Sequence, residues 1–288
     1  MNNRTLTSLA LAFASFIGLT ACTAAEPERT KSNAPLPPVS IKKYGDVVAA
    51  LDFDHATAQT PLSRIDRNAP RFSTKIFHAI AVGTDRCLTE QGFQEVSSKT
   101  DWSPYPESED RQYGLWSVEY ASKYGVSLAP NRGPRELDTL ALGVEFNKAY
   151  ADCMDSAKDD LKEILTYTDS PDIDSTIKWQ SHDRTRASKA GKKALVDWRA
   201  CMEKAGVVLD PDDSRPSAQY QVRSKEAEIK VSVLEAKCGV DTGAVRTLYD
   251  TQARYEAAYL DAQAAQVKAF VKKRDKVLHE LDEAIAGR

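Results

Sequence analysis

The sequence predicts an all-α domain: a disulfide-stapled, irregular helical bundle that ends in a long C-terminal helix and is carried behind an export signal. Three observations predict it. Apolar residues recur at i, i+3, i+4 and i+7 along most of the chain after Ile41, with no clean period-two run. Four cysteines, Cys87, Cys153, Cys201 and Cys238, follow an export-type N-terminus, and an even number in an exported chain favours disulfides. After Gly243 neither Pro nor Gly occurs until Gly287, so nothing in the sequence stops a helix there.

The N-terminus sets the compartment. Arg4 supplies a positive start, and Leu6 to Leu19 is a 14-residue run broken only by Thr, Ser and Gly. That run is shorter than the roughly 20 residues of a spanning helix. It ends in Leu19-Thr20-Ala21-Cys22, which resembles the bacterial lipoprotein processing site, where small residues precede a cysteine whose thiol takes a diacylglyceryl thioether. Residues 1–21 are therefore expected to be a signal peptide. Cys22 is expected to be the lipidated first mature residue, anchored on the extracytoplasmic face of the cell membrane by acyl chains such as palmitate. Residues 22–40 contain Pro27, Pro35, Pro37 and Pro38 among small polar and charged residues, the composition of a flexible spacer. Residues 41–288 form the domain.

Within it, Phe77, Ile80, Ala81 and Thr84 share one helical face. The stripe Val144, Phe146, Ala149, Tyr150 and Cys153 predicts a second helix, followed by Leu161, Ile164 and Leu165. Residues 184–205 carry Leu195, Trp198, Cys201 and Met202, and residues 224–238 carry Ala227, Val231, Leu234 and Cys238. The last helix is expected over about 241–286, capped by Asp241 or Thr242, with Tyr249, Ala253, Ala257, Leu260, Ala264, Val267, Val271, Leu278, Leu281 and Ile285 on one side. At 1.5 Å per residue it would be a rod of about 60 Å that projects from the body or folds back at an unmarked break.

Two proline-containing stretches, 97–112 and 127–136, read as loops. Between them Tyr113, Trp116, Tyr120 and Tyr124 recur at helical spacing. Such a face could stack on sugar rings, but large rings bury most of their area in ordinary folds, so a plug in the helical core is the first expectation.

Four cysteines allow three pairings. Cys87 and Cys201 each stand five residues before a glycine, Gly92 and Gly206, and Cys238 directly precedes Gly239. A glycine just past a helix adopts the left-handed conformation, so the crosslinks are expected near helix ends. There is no CxxC or histidine cluster to hold zinc, and no metal or cofactor is expected.

The runs DRCLTEQGF, RQYGLWSVEYASKYG, FNKAYADCM, WRACMEKAG and EAEIKVSVLEAKC together resemble a group of uncharacterised actinobacterial cell-envelope lipoproteins with Cys-Met and Cys-x4-Gly signatures. The resemblance covers roughly residues 75 to 270. It implies a small extracytoplasmic helical protein in which Cys87 pairs with Cys153 and Cys201 with Cys238, and it implies no reaction. The chain departs from the Cys-x4-Gly frame at Cys153, where position 158 is Lys, which places that cysteine mid-helix.

With 39 Lys plus Arg against 42 Asp plus Glu, the net charge of −3 excludes a basic nucleic-acid binder. His55, His78, His182 and His279 lie in no HExxH or nucleophile motif, and there is no GxSxG and no phosphate-cradling glycine loop. The acidic groups Asp210 to Asp213 and Asp169, Asp172 and Asp174 lack calcium-loop spacing and read as solvated loops. The basic run Lys268, Lys272, Lys273, Arg274 and Lys276 interleaves with acids and reads as the wet face of an amphipathic helix. Two functions follow as expectations. The first is a non-catalytic, lipid-anchored envelope module that meets a protein partner through the alanine-rich C-terminal helix. The alternative is a cell-wall glycan or peptide hydrolase with a carboxylate pair drawn from Glu90, Glu95, Asp101 and Glu119.

Overall fold

The computed structural model describes residues 35–66, 70–96, 100–102, 109–127, 142–169, 172–209 and 224–287. Its helices are α1 (Pro70–Glu90), α2 (Val118–Tyr124), α3 (Val144–Asp160), α4 (Lys162–Asp169), α5 (Ile173–Ala187), α6 (Lys189–Lys204), α7 (Lys225–Asp241), α8 (Ala244–Ala262) and α9 (Ala264–Ile285). The all-α disulfide-stapled class is therefore what the chain adopts. The described residues also include a short antiparallel hairpin, β1 (Ala50–Asp52) with β2 (Thr57–Gln59), in which Leu51 faces Ala58. Strands of three residues are too short to show a period of two.

α8 is the hub. It packs on α5, α6 and α7, while α1 packs on α3 and α9, and α2 on α7. The largest core cluster joins Phe72 and Ala79 of α1 with Ile164 and Tyr167 of α4, Ile177 of α5, Tyr259 of α8, and Phe270, Val277 and Leu281 of α9. A second holds Trp198, Met202, Val231, Cys238 and Leu248, and a third Ala49, Ala56, Trp116, Tyr249 and Ala253.

The expected single C-terminal rod is two helices. The break is at Gln263, with φ −108° and ψ 23°, and α9 lies along α1 instead of projecting. Tyr259 before the break and Phe270 after it enter the same core, so burial of both rings holds the bend that no Pro or Gly marks. Asp241 closes α7 and Thr242 is its C-terminal cap. The cap of α8 is Gly243, left-handed at φ +69°. Likewise the segment expected over 184–205 divides at Ser188, which ends α5 and whose Oγ accepts the Gly191 N–H that begins α6.

The spacer also ends earlier than expected. Leu36 and Val39 pack against the largest core. Beyond them the chain runs antiparallel to α8: Tyr44 donates to Asp261 at 2.7 Å, Arg254 to the Val47 carbonyl at 3.3 Å, and the Ala49 N–H to Asp250 at 3.0 Å. The two apolar side chains are what a free tether lacks. Residues 1–34, with Cys22 and the segment expected to be a signal peptide, lie outside the described residues.

Candidate functional site

Cys87 of α1 is bonded to Cys153 of α3, and Cys201 of α6 to Cys238 of α7, with Cα separations of 5.5 and 5.7 Å. Gly92 and Gly206 are both left-handed at φ +82°, as their Cys-x4-Gly frames require, and the Phe93 N–H reaches back to the Leu88 carbonyl to close α1. Cys153 is mid-helix. Gly239 is a correction: it lies inside α7, where a Cβ would stand 2.9 Å from a Val245 methyl, so its smallness serves the approach of α8.

The aromatic residues do not form one helical face. α2 begins only at Val118, capped by the Ser117 hydroxyl, so Tyr113 and Trp116 precede it on irregular backbone around Gly114, φ +89°. Trp116 is buried and packs on Tyr249, while Tyr120 and Tyr124 pair with each other on α2. Tyr113 lies edge-on to Tyr249 and stacks at 5.1 Å on His182, which also meets the exposed Trp179 in a T-shaped pair. Burial pushes the His182 imidazole below the usual histidine range.

Behind these rings runs a buried polar seam built by α8. Tyr249, Gln252 and Glu256 recur at i, i+3 and i+7 on one face, all within 2% exposure. Tyr249 donates to the Asp110 carboxylate at 2.5 Å, and the Trp116 indole N–H to the Asp110 carbonyl at 2.6 Å. The Tyr113 hydroxyl donates to Gln252 Oε1 at 2.6 Å. Gln252 Nε2 donates to Glu256 Oε1 at 2.8 Å, and Glu256 Oε2 accepts the Leu62 N–H at 3.0 Å. Burial raises the Tyr113 and Tyr249 phenols above their ordinary range, so both stay donors at neutral pH, and it raises Glu256 above the ordinary carboxylate. A cavity of about 20 Å³ adjoins Tyr113, Leu115 and Trp198, room for about one water. The seam is a fixing device for the turn at Leu62 and the 109–116 segment.

The same device recurs elsewhere. Asp85 of α1 accepts the Val96 N–H at 2.9 Å, Glu235 of α7 the Leu115 N–H at 2.8 Å, and Glu228 of α7 the Val126 N–H at 2.9 Å. Each buried carboxylate on a helix satisfies a backbone donor of an irregular segment. Sequence reasoning passed over these acids, although each interrupts an otherwise apolar stripe: Glu228 and Glu235 flank Val231 at i−3 and i+4, and Glu256 follows Tyr249 by seven.

The four carboxylates proposed for catalysis are not brought together. Glu119 opens α2, pairs with Lys123 at 2.5 Å and is held below the usual carboxylate range by it. Asp101 is exposed on irregular backbone. Glu90 and Glu95 share one open groove at the end of α1 with Asp85, Arg86 and Thr89. His78 stacks on Trp102 at 4.5 Å, and burial holds it below the usual range. His55 pairs with Asp52, and His279 with Glu283. Asp172 caps α5, Asp174 is buried in its first turn, and Asp210 to Asp213 lie outside the described residues. Among the described residues no three His, Cys, Asp or Glu side chains gather as for a metal, and no helix is long and apolar enough to cross a membrane.

Of the stripe expected to receive a partner helix, Tyr249, Ala253 and Leu281 are fully buried, Leu260, Val267, Val271 and Leu278 are half-buried and Ala264 is exposed, and α9 also shows solvent a lysine-rich side. No protein-family model, curated protein or solved structure matches the chain.

Proposed function

We propose that the chain is a lipid-anchored, extracytoplasmic envelope protein held through Cys22, and that its helical domain is a non-catalytic module that offers the outer face of α9 to a partner. The observation that carries this reading is the commitment of four buried acids and two buried phenols. Asp85, Glu228, Glu235 and Glu256 are engaged with backbone donors, and Tyr113 and Tyr249 with Gln252 and Asp110. Groups so engaged hold loops in place. Two disulfides support an oxidising compartment, where such bonds persist.

Metabolic labelling with an alkyne fatty acid tests the anchor. Label on the wild-type chain that disappears in Cys22→Ala is expected, and equal label on both would refute it. The hydrolase alternative has one observation in its favour, the groove shared by Glu90 and Glu95. Turnover of cell-wall material by the purified protein that is lost in Glu90→Gln/Glu95→Gln would replace the non-catalytic reading.

A further inference from the structure

We infer that the partner of α9's outer face is the anionic headgroup surface of the bilayer that carries the anchor. The inference rests on the anchored reading above and names what that face meets.

α9 is two-sided. Val267, Phe270, Val271, Val277, Leu278 and Leu281 belong to the largest core. Opposite them Ala265, Lys268, Ala269, Lys272 and Lys276 recur at i, i+3, i+4, i+7 and i+11, and all are exposed. From Ala264 to Arg274 the helix holds four cations, Lys268, Lys272, Lys273 and Arg274, and no acid. Lys273 lies over the Tyr167 ring and Arg274 bonds Asp275 and the Arg64 carbonyl. Lys276 pairs with Glu280 at 3.0 Å. Lys268 and Lys272 have no carboxylate partner among the described residues, and their neighbours on that face, Ala265 and Ala269, are alanines, which let a plane approach the helix closely.

The entry of the chain decides which plane. Leu36 and Val39 are seated in the same core cluster as Val267 and Val271, and Lys43 and Tyr44 are bonded to Asp261, two residues before the break that starts α9. Position 36 follows Cys22 by fourteen residues, about 45 Å at full extension. The Lys43 and Tyr44 bonds therefore bring the entering chain to the α8–α9 break, where the acid-free half of α9 begins. Positive side chains near a negative membrane surface are attracted over a Debye length, about 8 Å at physiological ionic strength. A protein of net charge −3 is repelled on average by such a surface, so an acid-free cationic face near the point of entry orients it.

The test makes the anchor chemically, so that it does not depend on lipidation in the cell. In the chain from Cys22 to Arg288, the other four cysteines are in disulfides and Cys22 alone is free to couple to a maleimide lipid. The coupled protein is placed on vesicles of phosphatidylcholine, or of phosphatidylcholine with one third phosphatidylglycerol, and pulsed with an acetylating reagent. Peptide mass spectrometry then reads each lysine. Acetylation of Lys268 and Lys272 is expected to slow at least threefold on the anionic vesicles and to recover in 0.5 M salt, while Lys189 and Lys192 on α6 keep their rates. Equal rates for Lys268 and Lys272 on the two vesicles would overturn the inference, as would slowing shared equally by the α6 lysines. Failure here leaves fatty-acid labelling of Cys22 intact, and failure of that labelling leaves this result standing.

Discussion

Glu256→Gln exchanges one carboxylate oxygen for an amide nitrogen at a site with 1% exposure. In the native protein one oxygen of Glu256 accepts from Gln252 and the other from the Leu62 N–H. The amide can accept at one position only and turns a donor toward the other, so one buried N–H loses its partner. That costs about 1–3 kcal/mol. The charge has an opposite effect. Burial raises the Glu256 carboxyl above its ordinary 4.5, outweighing the hydrogen bonds and the Lys178 charge that lower it. The folded state then binds more protons than the unfolded one between the two values, and native stability falls as pH rises from 4.5 to the folded value. Gln pays no such penalty. Relative to the wild type, Glu256→Gln should be least stable near pH 4 and should recover at up to about 1.4 kcal/mol per pH unit until the folded value is passed. Urea denaturation of both proteins at pH 4, 5, 6 and 7 measures the difference, in which all other titrations cancel. A difference that is flat across that range, or that grows with pH, would refute the account of the seam.

Complete reduction removes closed loops of 66 and 37 residues, each worth about 4 kcal/mol in the chain-entropy model. At roughly 2–4 °C per kcal/mol, loss of either bridge should lower the Tm by about 8–16 °C, as read by calorimetry on samples whose thiols are counted by mass. A fall under about 3 °C would show that the bridges are not structural. Gly191→Ala should destabilise by about 1–3 kcal/mol, because a Cβ there meets the Thr185 carbonyl at the tight α5–α6 junction. Helix propensity alone predicts a gain of about 1 kcal/mol, so the sign in a urea titration decides. Leu36→Asp with Val39→Asp should cost about 1–3 kcal/mol, since both side chains are half-buried on the core, whereas a free spacer would tolerate them unchanged.

What was legible in the sequence is what local chemistry encodes. Cys-x4-Gly marks a helix end because only glycine takes φ +82° without strain, and Gly92 and Gly206 do so. The same rule misplaces the end of α7: Gly239 is small for the sake of Val245, a contact across sequence that no spacing announces, and Gly243 performs the turn. The break at Gln263 is equally silent, because it is fixed by where Tyr259 and Phe270 are buried. Tyr113 and Trp116 stand at helical spacing without being helical, since the left-handed Gly114 turns the chain between them. Nor does a sequence show that Glu90 and Glu95 share a groove while Glu119 is occupied by Lys123.

The buried acids follow from the same physics on a larger scale. The turn at Pro61–Arg64 and the 109–116 segment lie against helices, and the Leu62 and Leu115 N–H groups face those helices instead of a sheet. A helix has spent its own carbonyls internally, so it can offer an acceptor only from a side chain. A carboxylate is the strongest such acceptor, and desolvation of the charge is offset only where the donor is fixed. Acids therefore fall where irregular chain crosses α1, α7 and α8, at Asp85, Glu228, Glu235 and Glu256, and each position is dictated by the segment it holds.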